Sequence, residues 1–306
     1  MSIEIKKCAV LGAGVMGAQI AGHIANAGIP SLLFDISEEL AKKGVEGLSK
    51  LKPAPLFSSK NSSLITPCTY DNDLDKLGDC DLIIEAVAEK IEIKHTVYKN
   101  LLPHLKEDTI LASNTSGIPL ANLVEVLPEE VQSRFLIAHF FNPPRYLKLL
   151  ELVKGPKTSD DVYNTITDFG ETTLGKGIVH AKDTPGFIGN RLINASGTLT
   201  FNKAVEYGLT VEDVDALYGT LVGNAKSAYF RTQDVVGLDT ALNVQNNMYE
   251  RVTTESEEER QKFKAPELLV KLVEDGRLGQ KSGQGWYKKE GKEILSLDFD
   301  TMEYSP

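Results

Sequence analysis

Two kinds of hydrophobic pattern alternate through the first 180 residues. Short runs that are apolar on both faces, KKCAVLGAG, PSLLFDI, DLIIEAVAE, DTILASNT and RFLIAHFFN, read as strands buried in a parallel sheet. Each but the last leads into a segment of helical period, and helices are predicted at 15–27, 91–105 and 118–127. Strands and helices in strict alternation predict a doubly wound, mostly parallel α/β sheet. LKLLELVKG and GKGIVHAKD add two further strands near its far edge. Beyond Pro185 and Gly186 the strand pattern stops, and residues 187–280 read almost wholly as helix, with loops at VGNAKS and DVVGLDT. The expected organisation is therefore a sheet domain over 1–182, an all-α domain over 183–288 and a tail or linker over 289–306.

Composition narrows the partners. The chain has 306 residues, 42% of them hydrophobic, enough for one large core or two smaller ones. Its formal charge of -10, with no run rich in lysine and arginine, would repel a phosphate backbone and argues against nucleic acid. Three cysteines, Cys8, Cys68 and Cys80, lack metal-ligand spacing and sit in or beside strand-like runs, so they read as small buried hydrophobes in a reducing compartment. No apolar run reaches membrane-spanning length, and MSIEIKKCAVLGAG enters a strand without a secretory apolar region. A cytoplasmic protein is expected. The charged run at 253–264 reads as a solvated helix face or loop.

The first chemistry lies in CAVLGAGVMGAQIAGHIANAG. Gly12, Gly14 and Gly17 follow a strand and open a helix, with Val15 and Met16 between them in the same turn. Such glycines permit a tight turn, close approach of the backbone to a pyrophosphate, and close packing of helix on strand, while the helix N-terminus attracts the phosphates. Asp35, at the end of the next strand and eighteen residues beyond Gly17, is placed to accept hydrogen bonds from both ribose hydroxyls of NAD and to repel the 2′-phosphate of NADP. The sheet is thus of the Rossmann type. A turn without ligand and a helix N-cap at Asp35 are the alternatives.

The second chemistry centres on His139, at the expected carboxyl end of a parallel strand and followed by Asn142, Pro143 and Pro144. Glu151, twelve residues on, stands in the otherwise apolar strand LKLLELV, where a carboxylate is costly unless paired. An imidazole is a natural partner, because the carboxylate fixes its tautomer and frees the other nitrogen to take a proton from an alcohol. Taken alone, each residue reads as well as a core histidine or a surface acid. Asn142, stopped by two prolines from continuing a ladder, is free to reach a reacting oxygen.

With these motifs, and with EAVAEKIEIK, ASNTSGIPL, HFFNPP, LLELVKG and KDTPGFIGNR in that order, the chain resembles the (S)-3-hydroxyacyl-CoA dehydrogenase family over essentially its whole length. The resemblance implies NAD-dependent, reversible oxidation of (S)-3-hydroxyacyl-CoA to 3-oxoacyl-CoA, as in fatty-acid β-oxidation. It implies that His139 is the general base, that Glu151 orients it, and that Ser116, Asn142 and Asn190 bond the substrate or hold the pair. It also implies that Glu89, Lys94 and Asn114 line the nicotinamide half of the site, although Lys94 reads equally as a surface lysine. No metal is implied. A homodimer is expected, because 187–280 carries more apolar helix surface than so small a domain can bury. Two features depart from single-function members: the segment 40–66 is short where they hold the CoA nucleotide, and GNAKSAYFRTQDVVGLDT replaces their Pro-Gly-Pro segment. The second of these, with the ending GQGWYKKEGKEILSLDFDTMEYSP, resembles the dehydrogenase portion of enzymes fused to an enoyl-CoA hydratase, and such a domain is an expected continuation. The rival readings are a dehydrogenase of small free hydroxy acids and a non-catalytic, crystallin-like dinucleotide-binding protein.

Overall fold

The computed structural model describes residues 4–253 and 256–306, so Met1, Ser2, Ile3, Thr254 and Glu255 lie outside the described residues. It divides into two compact units, Met1–Ile188 and Gly189–Pro306. In the first, β1 (Cys8–Leu11), α1 (Val15–Asn26), β2 (Ser31–Asp35), α2 (Glu38–Gly47), β3 (Ile65–Thr69), β4 (Leu82–Glu85), α3 (Ile91–Leu101) and β5 (Ile110–Ser113) follow in order. Short helices α4 (Leu120–Leu123) and α5 (Glu129–Gln132) lead to β6 (Phe135–Phe140), β7 (Leu149–Lys154), α6 (Asp160–Asp168) and β8 (Gly177–Ala181). The eight strands pair in the order β3-β2-β1-β4-β5-β6-β7-β8. All neighbours run parallel except β6 and β7. Order reverses between β1 and β4, the switch point at which open α/β sheets bind ligands.

Both faces of this sheet are covered. One face packs Val10, Leu33, Ile84 and Leu136 against Ile20 and Ile24 of α1, and the other packs Leu11, Phe34, Ile83 and Ile137 against Tyr98 and Leu101 of α3. That is why the strands read as apolar runs and not as alternations. Cys8, Cys68 and Cys80 are free and buried in these layers.

The second unit is helical: α7 (Gly189–Glu206), α8 (Val211–Leu217), α9 (Phe230–Val236), α10 (Leu238–Arg251), α11 (Glu257–Gln261) and α12 (Glu267–Glu274). Its core gathers Phe201, Phe230, Leu269, Leu272 and Trp286. Within the charged run, α11 is solvated, but Phe263 is buried beside Met248 and Val252. Among the described residues no helix is long and apolar enough to cross a membrane.

Two expected boundaries change. Residues 183–188 belong to the first unit, not the second: Phe187 is buried in its core, and Asp183 accepts the Leu120 N–H at 3.0 Å. Residues 289–306 are not a tail. Strands β9 (Tyr287–Glu290), β10 (Glu293–Leu297) and β11 (Tyr304–Ser305) form an antiparallel meander. Leu297 is buried in the helical core, with Phe299 and Tyr304 packed against it, so this segment completes the second unit.

Candidate active site

The glycine loop after β1 is built for close approach. Gly12 has φ +100°, and a Cβ there would lie 2.6 Å from the Ala86 carbonyl oxygen; one at Gly17 would lie 1.8 Å from the Gly12 carbonyl oxygen. Substitution at either forces the loop apart. Gly14 differs: a Cβ there would meet nothing within 4 Å, and as N-cap of α1 it provides no side-chain hydrogen bond to the first turn, which holds no acidic residue. Open space in front of unpaired helix N–H groups suits a pyrophosphate. Val15 is exposed and Met16 partly so on that turn. Asp35 is not the cap of α2, which is Ser37. Its carboxylate accepts the Ala13 N–H at 2.7 Å and the Ile36 N–H at 2.7 Å, so it braces the loop while standing half-buried at the end of β2. These residues fit the diphosphate and ribose of a dinucleotide.

His139 and Glu151 are directly opposite each other across β6 and β7. Nδ1 of His139 lies 2.8 Å from Oε2 of Glu151, and both residues are buried. The other carboxylate oxygen accepts the Ile188 N–H at 2.9 Å. An ionised carboxylate only accepts, so the neutral imidazole carries its proton on Nδ1 and presents Nε2 as a base. The rings of Phe141 and Phe187 flank the imidazole at 4.5 Å and 5.6 Å between centroids. Asn114 reaches from the end of β5 to accept the Phe140 N–H at 2.8 Å, which fixes the strand end next to His139. Asn142, exposed beyond β6, accepts from Gln19 of α1 at 3.0 Å. Arg145, three residues on, donates to the carbonyls of Ala54 and Leu56 at 2.6 and 2.8 Å, tying the short segment after α2 to this loop.

Glu89 and Ser116 come together between β4 and β5. Glu89 accepts from the Thr115 hydroxyl at 2.5 Å, the Ser116 N–H at 3.0 Å and Nζ of Lys94 at 3.2 Å. Burial alone would raise its pKa, but the Lys94 charge and these hydrogen bonds outweigh it and hold the carboxyl below its ordinary range. Lys94 is no surface lysine: it is 1% exposed, behind Glu89, and donates to Glu85 at 2.6 Å. Glu85 escaped sequence reasoning. It is fully buried at the end of β4 and also accepts from Tyr98, Ser113 and the Val87 N–H. Asn190 belongs to the second unit, on α7, where with Ile193, Tyr229 and Val244 it lines a cleft of about 510 Å³. Among the described residues no cluster of acids, histidines or cysteines has the makings of a metal site.

A dinucleotide cradle at the switch point, with an oriented imidazole at the same end of the sheet, is the arrangement that an NAD-dependent oxidoreductase requires. The family models for the NAD-binding domain and the C-terminal domain of 3-hydroxyacyl-CoA dehydrogenase match residues 7–184 and 186–289, and the chain belongs to that family. It is 43% identical to a probable 3-hydroxyacyl-CoA dehydrogenase of Bacillus subtilis, over 99% of this chain and 41% of that protein. It is also 43% identical to one of Deinococcus radiodurans, over 98% of this chain and 87% of that one. The crystal structure of M. tuberculosis FadB2 superposes with a TM-score of 0.78 at 32% identity, covering 94% of this chain and 99% of that one. The chain thus spans less than half the length of the Bacillus relative.

Proposed function

We propose that the chain oxidises the 3-hydroxyl of an (S)-3-hydroxyacyl-CoA to a ketone, reversibly, as a step of fatty-acid β-oxidation. The observation that carries this is the buried His139–Glu151 pair, with Nδ1 bonded at 2.8 Å and Nε2 unbonded among the described residues. NAD supplies the hydride acceptor when bound, held by the glycine loop, by Asp35 and by the N-terminus of α1. Nε2 of His139 takes the hydroxyl proton as the carbon loses its hydride, and Glu151 stabilises the imidazolium that results. In the reverse direction the same nitrogen returns the proton to the forming alcohol. Ser116 and Asn142 offer hydrogen bonds to the substrate at the ends of β5 and β6. The chain acts as a homodimer through the helical unit.

A panel of 3-hydroxyacyl-CoA thioesters and free hydroxy acids, followed at the NADH absorbance, tests the reading. Turnover of thioesters with NAD is expected, with NADP at least roughly a hundredfold poorer because Asp35 would face its 2′-phosphate. Turnover of free acids alone would replace the substrate class, and equal use of NADP would remove the role of Asp35.

A further inference from the structure

Four donors converge on the buried carboxylate of Glu85: Nζ of Lys94 at 2.6 Å, the Tyr98 hydroxyl at 2.8 Å, the Ser113 hydroxyl at 2.7 Å and the Val87 N–H at 2.8 Å. A carboxylate so placed is costly to bury unless it is paired, and the Lys94 ammonium is its pair. Lys94 divides its charge, however, since it also contacts Glu89 at 3.2 Å. Two carboxylates share one ammonium, which leaves one net negative charge. Only Glu89 carries that charge outward: its side chain is 34% exposed, against 0% for Glu85. The loop bearing Glu89 leaves β4 at the end of the sheet that carries the glycine loop and His139. In the strand order, β4 and β5 stand between β1, which ends at the glycine loop, and β6, which carries His139. A dinucleotide with its ribose at Asp35 and its pyrophosphate at the glycine loop continues toward β4.

We propose that Glu85 is a positioning residue for the cofactor: through Lys94 it holds Glu89 as the exposed end of a singly charged anionic relay beside the nicotinamide, and so favours the oxidised form. The ring of NAD+ is cationic and that of NADH is neutral. A fixed negative charge beside it strengthens binding of the first and leaves the second nearly unaffected. Attraction that vanishes once hydride arrives separates the two dissociation constants, which is a tuning of the bound redox pair and not of affinity as such. A role in packing alone would weaken both forms together.

The inference rests on the NAD reading and needs no acyl-CoA. Glu85→Gln preserves the shape and removes one negative charge, so that Lys94 neutralises Glu89. Dissociation constants for NAD+ and NADH, measured without substrate by calorimetry and by NADH fluorescence, are expected to separate. The NAD+ value should rise roughly three- to thirtyfold and the NADH value should stay within about twofold. Equal changes in both, or no change, would overturn the proposal. If Glu85→Gln does not fold, Glu89→Gln at the rim gives the same readout, and an unchanged ratio there overturns it equally. A protein that shows the split yet oxidises no 3-hydroxyacyl-CoA would retain this inference and lose the substrate reading; activity without the split would do the reverse.

Discussion

His139 and Glu151 owe their spacing to the sheet, because an antiparallel pair in register sets two side chains face to face with little freedom to part. Their roles are therefore testable by single substitutions that leave the backbone alone. His139→Ala is expected to lower kcat by roughly 10² to 10⁴ while NADH affinity, read by fluorescence titration, stays within about threefold. Glu151→Gln should be comparably harmful, since an amide cannot stabilise the imidazolium. Near wild-type turnover in either variant would return His139 to the standing of a core residue. This pair was legible in the sequence because a histidine closing one apolar run and an acid inside the next each break a hydrophobic pattern. Glu85 breaks its pattern too, in DLIIEAVAE, but its side-chain partners come from two other elements. Lys94 and Tyr98, four apart, share one face of α3, and Ser113 comes from β5, which only the strand order brings alongside. A lysine and a tyrosine at that spacing after an acid-ending strand were the available signal.

At the scale of elements, the runs buried on both faces announced themselves, and the edges did not. β3 was not anticipated, because ITPCT is short, half polar and contains Pro67, features a central strand excludes; as an outer strand it pairs only with β2, and the missing N–H disturbs no second ladder. The β9–β11 meander was visible as a turn and an apolar EILSL, yet its attachment depends on Asp234 accepting the N–H groups of Trp286 and Tyr287, a contact over fifty residues. Attachment between elements also makes a prediction for α1. His23, buried on that helix, donates from Nε2 to the Leu174 carbonyl at 3.0 Å, while Nδ1 is buried without a hydrogen-bond partner among the described residues. Burial first, then the charge of Lys176, lowers its pKa to about 4, against the opposing effect of the Leu174 bond, and Arg145 adds slightly to the lowering. The folded state thus prefers the neutral ring. Its stabilising contribution is whole above the unfolded pKa of about 6.5 and is lost as pH falls from there through about 4. Over that window the protein should lose about 2–3 kcal/mol more stability than a His23→Gln variant, whose amide can still reach Leu174 but does not titrate. Parallel denaturation curves at pH 7 and pH 4 check this, and a wild-type–variant difference that ignores pH would refute it.

For the whole molecule, the question left by the fold is what covers the helical unit. α7 exposes Leu192, Ile193 and Leu199, α9 exposes Val235 and Val236, and α10 exposes Val244, each between 47% and 65% accessible. Several of these side chains border the cleft that Asn190 also lines. Scattered apolar residues on a surface are ordinary; a contiguous set on neighbouring helices marks an interaction face. Ion pairs such as Lys203–Glu206 and Lys262–Glu259 lie elsewhere on the exterior, as do other exposed apolar side chains such as Leu221; this face differs in that Leu192, Ile193, Val236 and Val244 border one cleft. A self-complementary patch across a twofold axis buries such a face at both copies at once. Sedimentation at micromolar concentration is expected to give twice the monomer mass. Leu192→Glu together with Val236→Glu should shift the protein to monomer, since two charges per copy would be forced into an apolar contact at a cost of several kcal/mol. The glycine loop and Asp35 lie in the other unit, so NADH binding should survive that change, which separates dissociation from unfolding. A wild-type monomer under these conditions would contradict the dimer, and a double variant that stayed dimeric would move the interface to another face.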